Sequence, residues 1–347
     1  MLNLSSNDYL GLAADEALRG EFFRTFTPEK LLLSASSSRL LTGNFPVYEE
    51  VEAQLATLFG TEAALVFGSG YHMNAGLLPA VADAHTLILA DKLVHASLID
   101  GIRLSAAKCV RFRHQDYGQL EALLRKHHGE AARIIIVVES IYSMDGDVAD
   151  LRRLVGLKRR YGNVMLYVDE AHGIGVRGLR GLGVAEEQGC IGEVDFLCGT
   201  FGKALASVGA YVVCRRTLRE YLVNRMRTFI FTTALPPVNL MWTKFVLSRL
   251  ESFADRRRQL EETGNMLRTA LLAGGYACPS DSHIVPVMVG DSGDAVLRAD
   301  AMQRRGFYVL PVRPPTVPEG TSRLRISLTA TITKEETEQL IKRIRER

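Results

Sequence analysis

The chain has 347 residues, of which 47% are hydrophobic and 23% are charged, and its formal net charge is +3. A chain of this length usually exceeds one hydrophobic core, so we expect two domains. The small net charge and the lack of a long basic run give no indication of a nucleic-acid partner. The longest apolar runs, such as "IIIVV", have the length of strands, which argues against a membrane partner.

The first residues and the cysteines bear on cellular location. The start "MLNLSSNDYLGLAADEAL" lacks a basic segment followed by an apolar one, so we expect no secretory signal. The five cysteines are widely spaced and include no CxxC pair. This pattern supports neither a disulfide framework nor a zinc site. We therefore expect a cytoplasmic protein without a metal ion.

From about residue 63 to residue 234, short apolar runs alternate with longer amphipathic stretches. The runs are "AALVF", "TLILA", "RIIIVVE", "NVMLYVD", "VDFLCG" and "GAYVVC". Runs that are rich in β-branched residues and apolar on both sides are typical of strands buried on both faces. The pattern predicts an α/β domain with a mainly parallel sheet, in which ligands bind at the carboxyl ends of the strands.

The pattern changes after "TTALPP", where a long charged helical segment is expected over residues 238–273. It is followed by strand-like and helix-like segments and by a closing helix, for which Thr333 and Glu336 form a capping box. These segments predict a smaller α+β domain. We expect a short N-terminal segment over residues 1–20, a large ligand-binding domain over 21–244 and a C-terminal domain over 245–347.

Two glycine-containing turns follow predicted strands, and neither fits a nucleotide motif. In "DFLCGTFGKALAS", a P-loop requires glycine where Leu197 stands and a hydroxyl where Ala204 stands. In "VFGSGYHMNAG", Met73 occupies the third glycine position of a dinucleotide fingerprint. A strand, a Gly-Ser-Gly turn and a helix start still form a suitable phosphate cradle from backbone N–H groups, although a plain strand-to-helix turn is equally typical of this pattern.

The stretch "YVDEAHGIG" places Asp169 at the end of a predicted strand, with His172 shortly after it. Alone, the pair is more typical of a helix cap followed by a turn histidine than of a catalytic site. Lys203 follows a later strand end, so the cradle, carboxylate, histidine and lysine are expected at one edge of the sheet. Pyridoxal phosphate requires a lysine, a phosphate site and a carboxylate that keeps the pyridine nitrogen protonated.

The chain resembles the α-oxoamine synthase family of fold-type-I pyridoxal-phosphate enzymes. The resemblance extends from "LNLSSNDYLGL" almost to the carboxyl end. It rests on nine motifs in family order: "NDYLGL", "SRLLTGN", "LVFGSGY", "KLVHASLIDG", "ESIYSMDGD", "VDEAHGIGV", "GTFGKA", "FTTALPP" and "RPPTVPEGTSRLRISLTA". The last motif favours the members of the family that act in biotin synthesis. The resemblance implies a mainly parallel central sheet flanked by helices, with a smaller C-terminal α+β domain.

The resemblance also implies roles in cofactor binding and catalysis. Lys203 would bind pyridoxal 5'-phosphate covalently and then move the substrate α-proton. Asp169 would pair with the ring nitrogen, His172 would contact the ring hydroxyl, and His95 would stack on the ring. The other cofactor contacts that the resemblance implies are Gly70 and Tyr71 through backbone amides, Thr200 through its hydroxyl, Glu139, Ser143, and Thr232 or Thr233 from a second subunit.

The substrates that the resemblance implies are L-alanine and a pimeloyl thioester, carried on coenzyme A or on a carrier protein. Asn7 and Arg325 would receive the amino-acid carboxylate, and the enzyme would be a homodimer with shared active sites. One alternative is a sister synthase that uses glycine or another acyl thioester. Another is a non-catalytic partner subunit on the same fold, but such subunits lack the lysine that stands here as Lys203.

The sequence departs from the family pattern at three places. The glycine-rich "GSGGSR" of relatives is "SASSSR" here, over residues 34–39. Ala206 stands where relatives commonly have glycine after the lysine motif. Relatives also usually carry a longer leading segment, which helps to recognise the acyl chain.

Overall fold

The computed structural model describes residues 1–27 and 31–346. The chain divides into two compact units that are discontinuous in sequence. The larger unit comprises Ala14–Ser140 and Ala149–Glu251, and the smaller comprises Met1–Ala13, Ile141–Val148 and Ser252–Arg347. The N-terminal residues and a short internal segment thus belong with the C-terminal part of the chain.

The larger unit is built on a seven-stranded sheet. Its strands are β2 (Ala63–Phe67), β3 (Thr86–Asp91), β4 (Lys108–Phe112), β5 (Arg133–Glu139), β6 (Val164–Asp169), β7 (Phe196–Thr200) and β8 (Ala210–Cys214). They lie in the order β2-β8-β7-β6-β5-β3-β4. Strand β8 is antiparallel to both of its neighbours, and the other pairs are parallel. The predicted mainly parallel α/β sheet is confirmed.

Burial explains which strands the sequence revealed. Strands β2, β3, β7 and β8 are buried at every residue, which gives the continuous apolar runs expected of strands covered on both faces. The sequence analysis missed β4, an edge strand whose Lys108 and Arg111 are exposed. Charged residues on an edge strand oppose pairing with another sheet, and they also hide the strand from a search for apolar runs.

Helices connect the strands of the larger unit. They are α1 (Glu16–Thr25), α2 (Pro46–Phe59), α3 (Gly70–Val81), α4 (Ala96–Leu104), α5 (Tyr117–His127), α6 (Leu151–Arg160), α7 (Val184–Glu187), α8 (Arg216–Arg225), α9 (Arg227–Ile230) and α10 (Pro237–Leu247). Asp15, Asp116 and Asp150 precede α1, α5 and α6, and each carboxylate accepts a hydrogen bond from a backbone N–H of the first turn. These caps fix where the helices begin.

In the part of the smaller unit that the structure describes, there are two short sheets and three α-helices. Strand β1 (Leu2–Asn3) is parallel to β10 (Phe307–Tyr308), and β9 (Ile284–Gly290), β11 (Pro311–Val312) and β12 (Ser322–Ser327) form an antiparallel sheet in the order β11-β12-β9. The helices are α11 (Ala254–Ala273), α12 (Ser292–Arg304) and α13 (Lys334–Arg345). The capping box predicted at Thr333 and Glu336 is present at the start of α13.

The helical segment expected over residues 238–273 is interrupted. Helix α10 ends at Leu247, a 3-10 turn covers Leu250–Phe253, and α11 begins at Ala254. The boundary placed after residue 244 therefore falls inside α10. Among the helices that the structure describes, none combines the length and the apolar character needed to cross a membrane.

Candidate active site

A cavity of about 200 Å³ in the larger unit lies at the carboxyl ends of the parallel strands. This is the edge at which α/β sheets bind ligands. Eight of the residues that line it were expected in the site: Gly70, Tyr71, His95, Glu139, Asp169, His172, Thr200 and Lys203. The fold thus gathers into one cavity residues that lie far apart in sequence.

Lys203 lies in the loop that joins the antiparallel strands β7 and β8. Backbone hydrogen bonds from Ala206 to Lys203 and from Ser207 to Phe201, each 2.9 Å long, close this loop tightly. The half-buried Lys203 Nζ lies 2.8 Å from His172 Nε2. The amine is therefore held at the cavity wall by a histidine from the loop after β6.

Asp169 is the last residue of β6 and is 5% exposed. Its Oδ2 accepts a hydrogen bond from Asn74 Nδ2 at 2.8 Å, and its Oδ1 accepts one from the Ala171 backbone N–H at 2.9 Å. Two donors directed at the carboxylate favour its charged form. The cavity therefore contains a fixed negative charge.

Glu139 ends β5 and is paired in register with Asp169 on the neighbouring strand. Burial, and then the charge of Asp169, raise the pKa of Glu139 well above its usual value. Its Oε1 is buried and has no hydrogen-bond partner in the described part of the chain. Burial and the neighbouring charge thus favour the protonated form of Glu139.

His95 is the N-cap residue of α4. Its Nδ1 accepts a hydrogen bond from the Ser97 backbone N–H at 3.2 Å and lies 2.7 Å from Ser97 Oγ. Burial lowers the pKa of His95. The ring at the cavity wall is therefore a neutral imidazole.

The first turn of α3 forms another wall of the cavity. The Ser69 side chain caps the helix by accepting from the His72 N–H at 3.1 Å. The N–H groups of Gly70 and Tyr71 belong to the first turn, where a helix offers no carbonyl partner. A Cβ atom added at Gly70 would lie 3.9 Å from Thr200 Cβ. The two residues expected to hold phosphate are therefore close together. This arrangement suits an anionic group.

The family model for aminotransferase class I and II matches residues 1–344. The chain belongs to this family. A protein of Pasteurella multocida is 57% identical over 342 residues, which cover 98% of this chain and 88% of the relative. One of Neisseria meningitidis serogroup A is 54% identical over 339 residues, which cover 98% and 89%. Both carry 8-amino-7-oxononanoate synthase as a provisional name.

Solved structures of similar proteins narrow the class of enzyme. A serine palmitoyltransferase of S. paucimobilis with bound PLP has a TM-score of 0.92 at 32% identity, covering 99% of this chain and 86% of that one. An 8-amino-7-oxononanoate synthase of Francisella tularensis has a TM-score of 0.84 at 26% identity, covering 100% and 97%. This aminotransferase-family chain is an α-oxoamine synthase with the fold-type-I architecture. It is a pyridoxal-phosphate-dependent acyltransferase, as the sequence analysis predicted.

The residues of the cavity fit pyridoxal 5'-phosphate. The amine of Lys203 suits the aldehyde of the cofactor, and the carboxylate of Asp169 suits its protonated ring nitrogen. The start of α3 and Thr200 suit the phosphate. The buried Glu139 Oε1, which has no partner among the described residues, marks a polar position that a bound polar group can satisfy.

Other predicted residues lie away from the cavity lining. Asn7, Ser143 and Arg325 belong to the smaller unit, where Arg325 donates to the Ser143 carbonyl and its Nη1 lies 3.4 Å from Asn7 Oδ1. Thr232 and Thr233 belong to the larger unit but do not line its cavity. The Thr232 hydroxyl donates to the Thr233 carbonyl at 3.5 Å.

The sequence analysis missed Asn74 and Ser97, which also line the cavity. Asn74 lies one helical turn after Gly70, so it faces the same side of α3. A polar residue in the apolar stretch "MNAGLLPAV" was the available signal, since buried polar groups require partners. Ser97 lies two residues after His95, within reach of its ring.

Proposed function

We propose that this enzyme condenses L-alanine with a pimeloyl thioester to give 8-amino-7-oxononanoate, a thiol and carbon dioxide, as in biotin synthesis. The observation that carries this proposal is the full-length relationship, at 57% and 54% identity, to proteins provisionally named 8-amino-7-oxononanoate synthase. The five unpaired cysteines, all within the described residues, support a cytoplasmic setting. We also propose a homodimer with shared active sites.

The reaction breaks the Cα–H bond of alanine, forms a bond between the alanine α-carbon and the thioester carbonyl carbon, and breaks the carbon–sulfur bond. The thiolate leaves and takes a proton, the alanine carboxylate leaves as carbon dioxide, and a proton returns to the α-carbon. Pyridoxal phosphate supplies the electron sink for the negative charge that develops at that carbon.

The roles of the chain's own residues follow from their surroundings. Lys203 Nζ moves the α-proton, and its contact with His172 keeps the amine at the cavity wall. Asp169 supplies the negative charge that keeps the ring nitrogen protonated. Arg325 and Asn7 receive the amino-acid carboxylate, because a guanidinium and an amide both donate to carboxylate oxygens.

A second candidate function is the condensation of serine with a long-chain acyl thioester. It is supported by the structural similarity to a serine palmitoyltransferase of Sphingomonas wittichii, with a TM-score of 0.92 at 33% identity over 99% of this chain and 86% of that one. The sequence similarity favours the first candidate, because the relatives with the provisional synthase name are the more similar in sequence.

A substrate matrix distinguishes the candidates. Purified protein loaded with pyridoxal phosphate is combined with alanine, glycine or serine and with acetyl, pimeloyl or palmitoyl thioesters of coenzyme A and of carrier protein. Thiol release gives the rate, and mass spectrometry identifies the product. We expect the highest kcat/KM for alanine with a pimeloyl thioester. A preference for serine with palmitoyl, or glycine with acetyl, would replace the proposal by the corresponding synthase.

The role of Lys203 has a separate test. Borohydride reduction of the loaded protein should attach the cofactor permanently to Lys203, and peptide mapping should locate the label there. Lys203→Ala is the matched control and should carry no label after the same treatment. A label on another lysine in the wild-type protein would overturn the assignment.

A further inference from the structure

A chain of hydrogen bonds, buried at Asn74 and partly buried at its outer end, links Asp169 to His95. At its centre is Asn74, which lies in α3 and is 1% exposed. Its Nδ2 donates to Asp169 Oδ2 at 2.8 Å and to Ser97 Oγ at 2.9 Å. Its Oδ1 accepts from the hydroxyl of Tyr167 at 2.5 Å. Both amide protons and the amide oxygen are therefore in use.

The orientation of this amide follows from the groups around it. A carboxylate only accepts hydrogen bonds, so the nitrogen of Asn74 must face Asp169 and its oxygen must face the Tyr167 hydroxyl. Rotating the amide by half a turn would place two acceptors, Oδ1 and the Asp169 oxygen, against each other. The network thus has one favourable arrangement.

The same reasoning fixes the proton of the His95 ring. Ser97 Oγ accepts from Asn74 and lies 2.7 Å from His95 Nδ1, so its hydroxyl proton is available to that nitrogen. The backbone N–H of Ser97 also donates to Nδ1. Since Nδ1 accepts from both groups, the proton of the neutral imidazole is on Nε2.

The close packing of two helices holds Asn74 in place. A Cβ atom added at Gly101 of α4 would lie 2.3 Å from the Asn74 carbonyl oxygen. Helices α3 and α4 therefore touch through their backbones at this point. The contact fixes the backbone of Asn74 relative to the helix that begins at His95.

We propose that Asn74 is the positioning residue that orients the Asp169 carboxylate and, through Ser97, holds the proton of His95 on Nε2. One amide thereby sets two groups on different walls of the cavity. The inference rests on the proposed function only in so far as both groups face the cofactor. Neither role depends on which amino acid or acyl thioester reacts.

The first test measures binding of pyridoxal phosphate by equilibrium dialysis. Asn74→Ala should weaken binding about tenfold, the loss expected for one hydrogen bond to a charged group. The same substitution in an Asp169→Asn background should have little further effect, because Asn74 acts through that carboxylate. Equal dissociation constants for Asn74→Ala and wild type would overturn the proposal.

The second test uses the protein without cofactor, so it does not depend on the proposed function. In protein with ¹⁵N-labelled histidine, His95→Gln identifies the His95 signals, which should show the proton on Nε2. Asn74→Ala and Ser97→Ala should shift the Nδ1 resonance in the same direction, and the double variant should add little. A proton on Nδ1, or no shift in Asn74→Ala, would overturn the role of Asn74 toward His95.

Loss of stability requires its own control, since Asn74→Ala leaves the Tyr167 hydroxyl buried without its partner. The variant Asn74→Ala/Tyr167→Phe removes that hydroxyl and should recover stability, while cofactor binding stays weak. Thr243→Ala is the matched control, because Thr243 is buried and hydrogen-bonded in the same unit but outside the cavity lining. If Thr243→Ala weakens cofactor binding as much as Asn74→Ala, the effect is general destabilisation and the proposal fails.

Discussion

At the scale of single residues, the surroundings of each carboxyl group decide its charge. Asp169 and Glu139 end neighbouring strands of one sheet. Asp169 accepts hydrogen bonds from an amide and a backbone N–H, whereas Glu139 keeps one buried oxygen without a partner among the described residues. The same functional group therefore has different hydrogen-bonding surroundings at two neighbouring positions of the cavity, and those of Glu139 raise its pKa.

We predict that Glu139→Gln retains cofactor affinity within about threefold, because a neutral amide of the same shape replaces a protonated acid. Asp169→Asn is the matched control and should lower turnover by about 100-fold, because it removes a fixed charge. Equilibrium dialysis measures the affinity, and thiol release measures the turnover. If Glu139→Gln is as damaging as Asp169→Asn, the charged form of Glu139 is required and our assignment is wrong.

A second prediction tests the proposed role of Arg325 in substrate binding. Arg325→Ala should raise the KM for alanine about tenfold, because one charge-assisted pair to its carboxylate is lost. The KM for the acyl thioester should change little. Arg313→Ala is the control, since Arg313 is exposed in the same unit. An unchanged alanine KM in Arg325→Ala, by steady-state kinetics, would remove Arg325 from the substrate site.

Sequence motifs indicated residues that meet in the cavity, but not the side chains that hold them in place. Lys203, Asp169 and His172 lie at or shortly after strand ends. The edge of a parallel sheet brings such residues together, so their proximity could be predicted from sequence. The partners Asn74 and Ser97 are specified by the contact of α3 with α4. That contact involves residues far apart in sequence and leaves no periodic signal.

At the scale of structural elements, departures from the family pattern fall on strained backbone. Ser36 and Ala206 replace glycines of the family motifs, and their φ angles are +52° and +47°. These values lie in the left-handed region, which costs a residue with a side chain roughly 1 kcal/mol relative to glycine. The loops after α1 and β7 thus retain a shape that suits glycine.

We predict that Ala206→Gly stabilises the larger unit by about 1 kcal/mol, because it relieves the left-handed strain. Ala53→Gly is the control of opposite sign. Ala53 is exposed in the interior of α2, where glycine should cost about 1 kcal/mol. Urea denaturation followed by circular dichroism measures both. Destabilisation by Ala206→Gly would show that the loop tolerates its φ angle without strain.

The loop after β6 is built around a buried carboxyl group. Glu170 accepts hydrogen bonds from Ser140 and from the Ala185 backbone N–H. Cβ atoms added at Gly173 or Gly183 would lie within 1.9 Å or 2.7 Å of this side chain. Burial raises the pKa of Glu170 to about 7. The loop that carries His172 is therefore closed around an acid that is neutral at slightly acidic pH.

This raised pKa gives a prediction for stability. Between the usual pKa of 4.5 and about 7, the unfolded chain releases the Glu170 proton while the folded protein keeps it. Stability should fall as pH rises through this window, by at most about 1.4 kcal/mol per pH unit from this group. Glu170→Gln should remove that decline in urea denaturation at pH 5, 6 and 7. Parallel profiles for variant and wild type would contradict the assignment.

Apolar periodicity predicted the elements of the sheet core and failed at their margins. Strand β4 was not predicted, because the charged residues Lys108 and Arg111 interrupt its apolar pattern. The break between α10 and α11 was not predicted, because "LSRLESFA" contains neither glycine nor proline. The local sequence therefore gives no signal that the helix ends. The capping box of α13 was predictable because it depends only on residues three apart.

At the scale of the whole molecule, the chain assembles its units from distant segments. Residues 1–13 and 141–148 join residues 252–347 in the smaller unit. The contact of Arg325 with Asn7 and Ser143 draws on all three segments. The change of pattern after "TTALPP" predicted consecutive domains, because it does not show that residues 1–13 and 141–148 join the C-terminal segment.

The threonine segment, residues 231–238, contains Thr232 and Thr233 and contacts another loop of the larger unit. Backbone hydrogen bonds from Ala234 to Ser37, at 2.9 Å, and from Val238 to Leu32, at 3.1 Å, join it to the loop before α2. Leu33 is 77% exposed and Phe231 is 71% exposed. Exposed apolar residues of this kind are typical of a protein interface. They support a dimer in which Thr232 or Thr233 completes the site of the partner.

We predict that activity returns when two inactive variants are mixed and their subunits exchange at random. One variant is Lys203→Ala and the other is Thr232→Ala/Thr233→Ala. In a mixed dimer, one site receives the intact lysine and the intact threonines, while the other receives neither. With half of the dimers mixed, about a quarter of wild-type activity should return, because the two-fold interface is isologous. Thiol release at limiting cofactor measures the recovery, and native mass spectrometry counts the mixed dimers. Each parent alone is the control and should be nearly inactive. Mixed dimers without a gain over both parents would show that the threonines act within their own subunit.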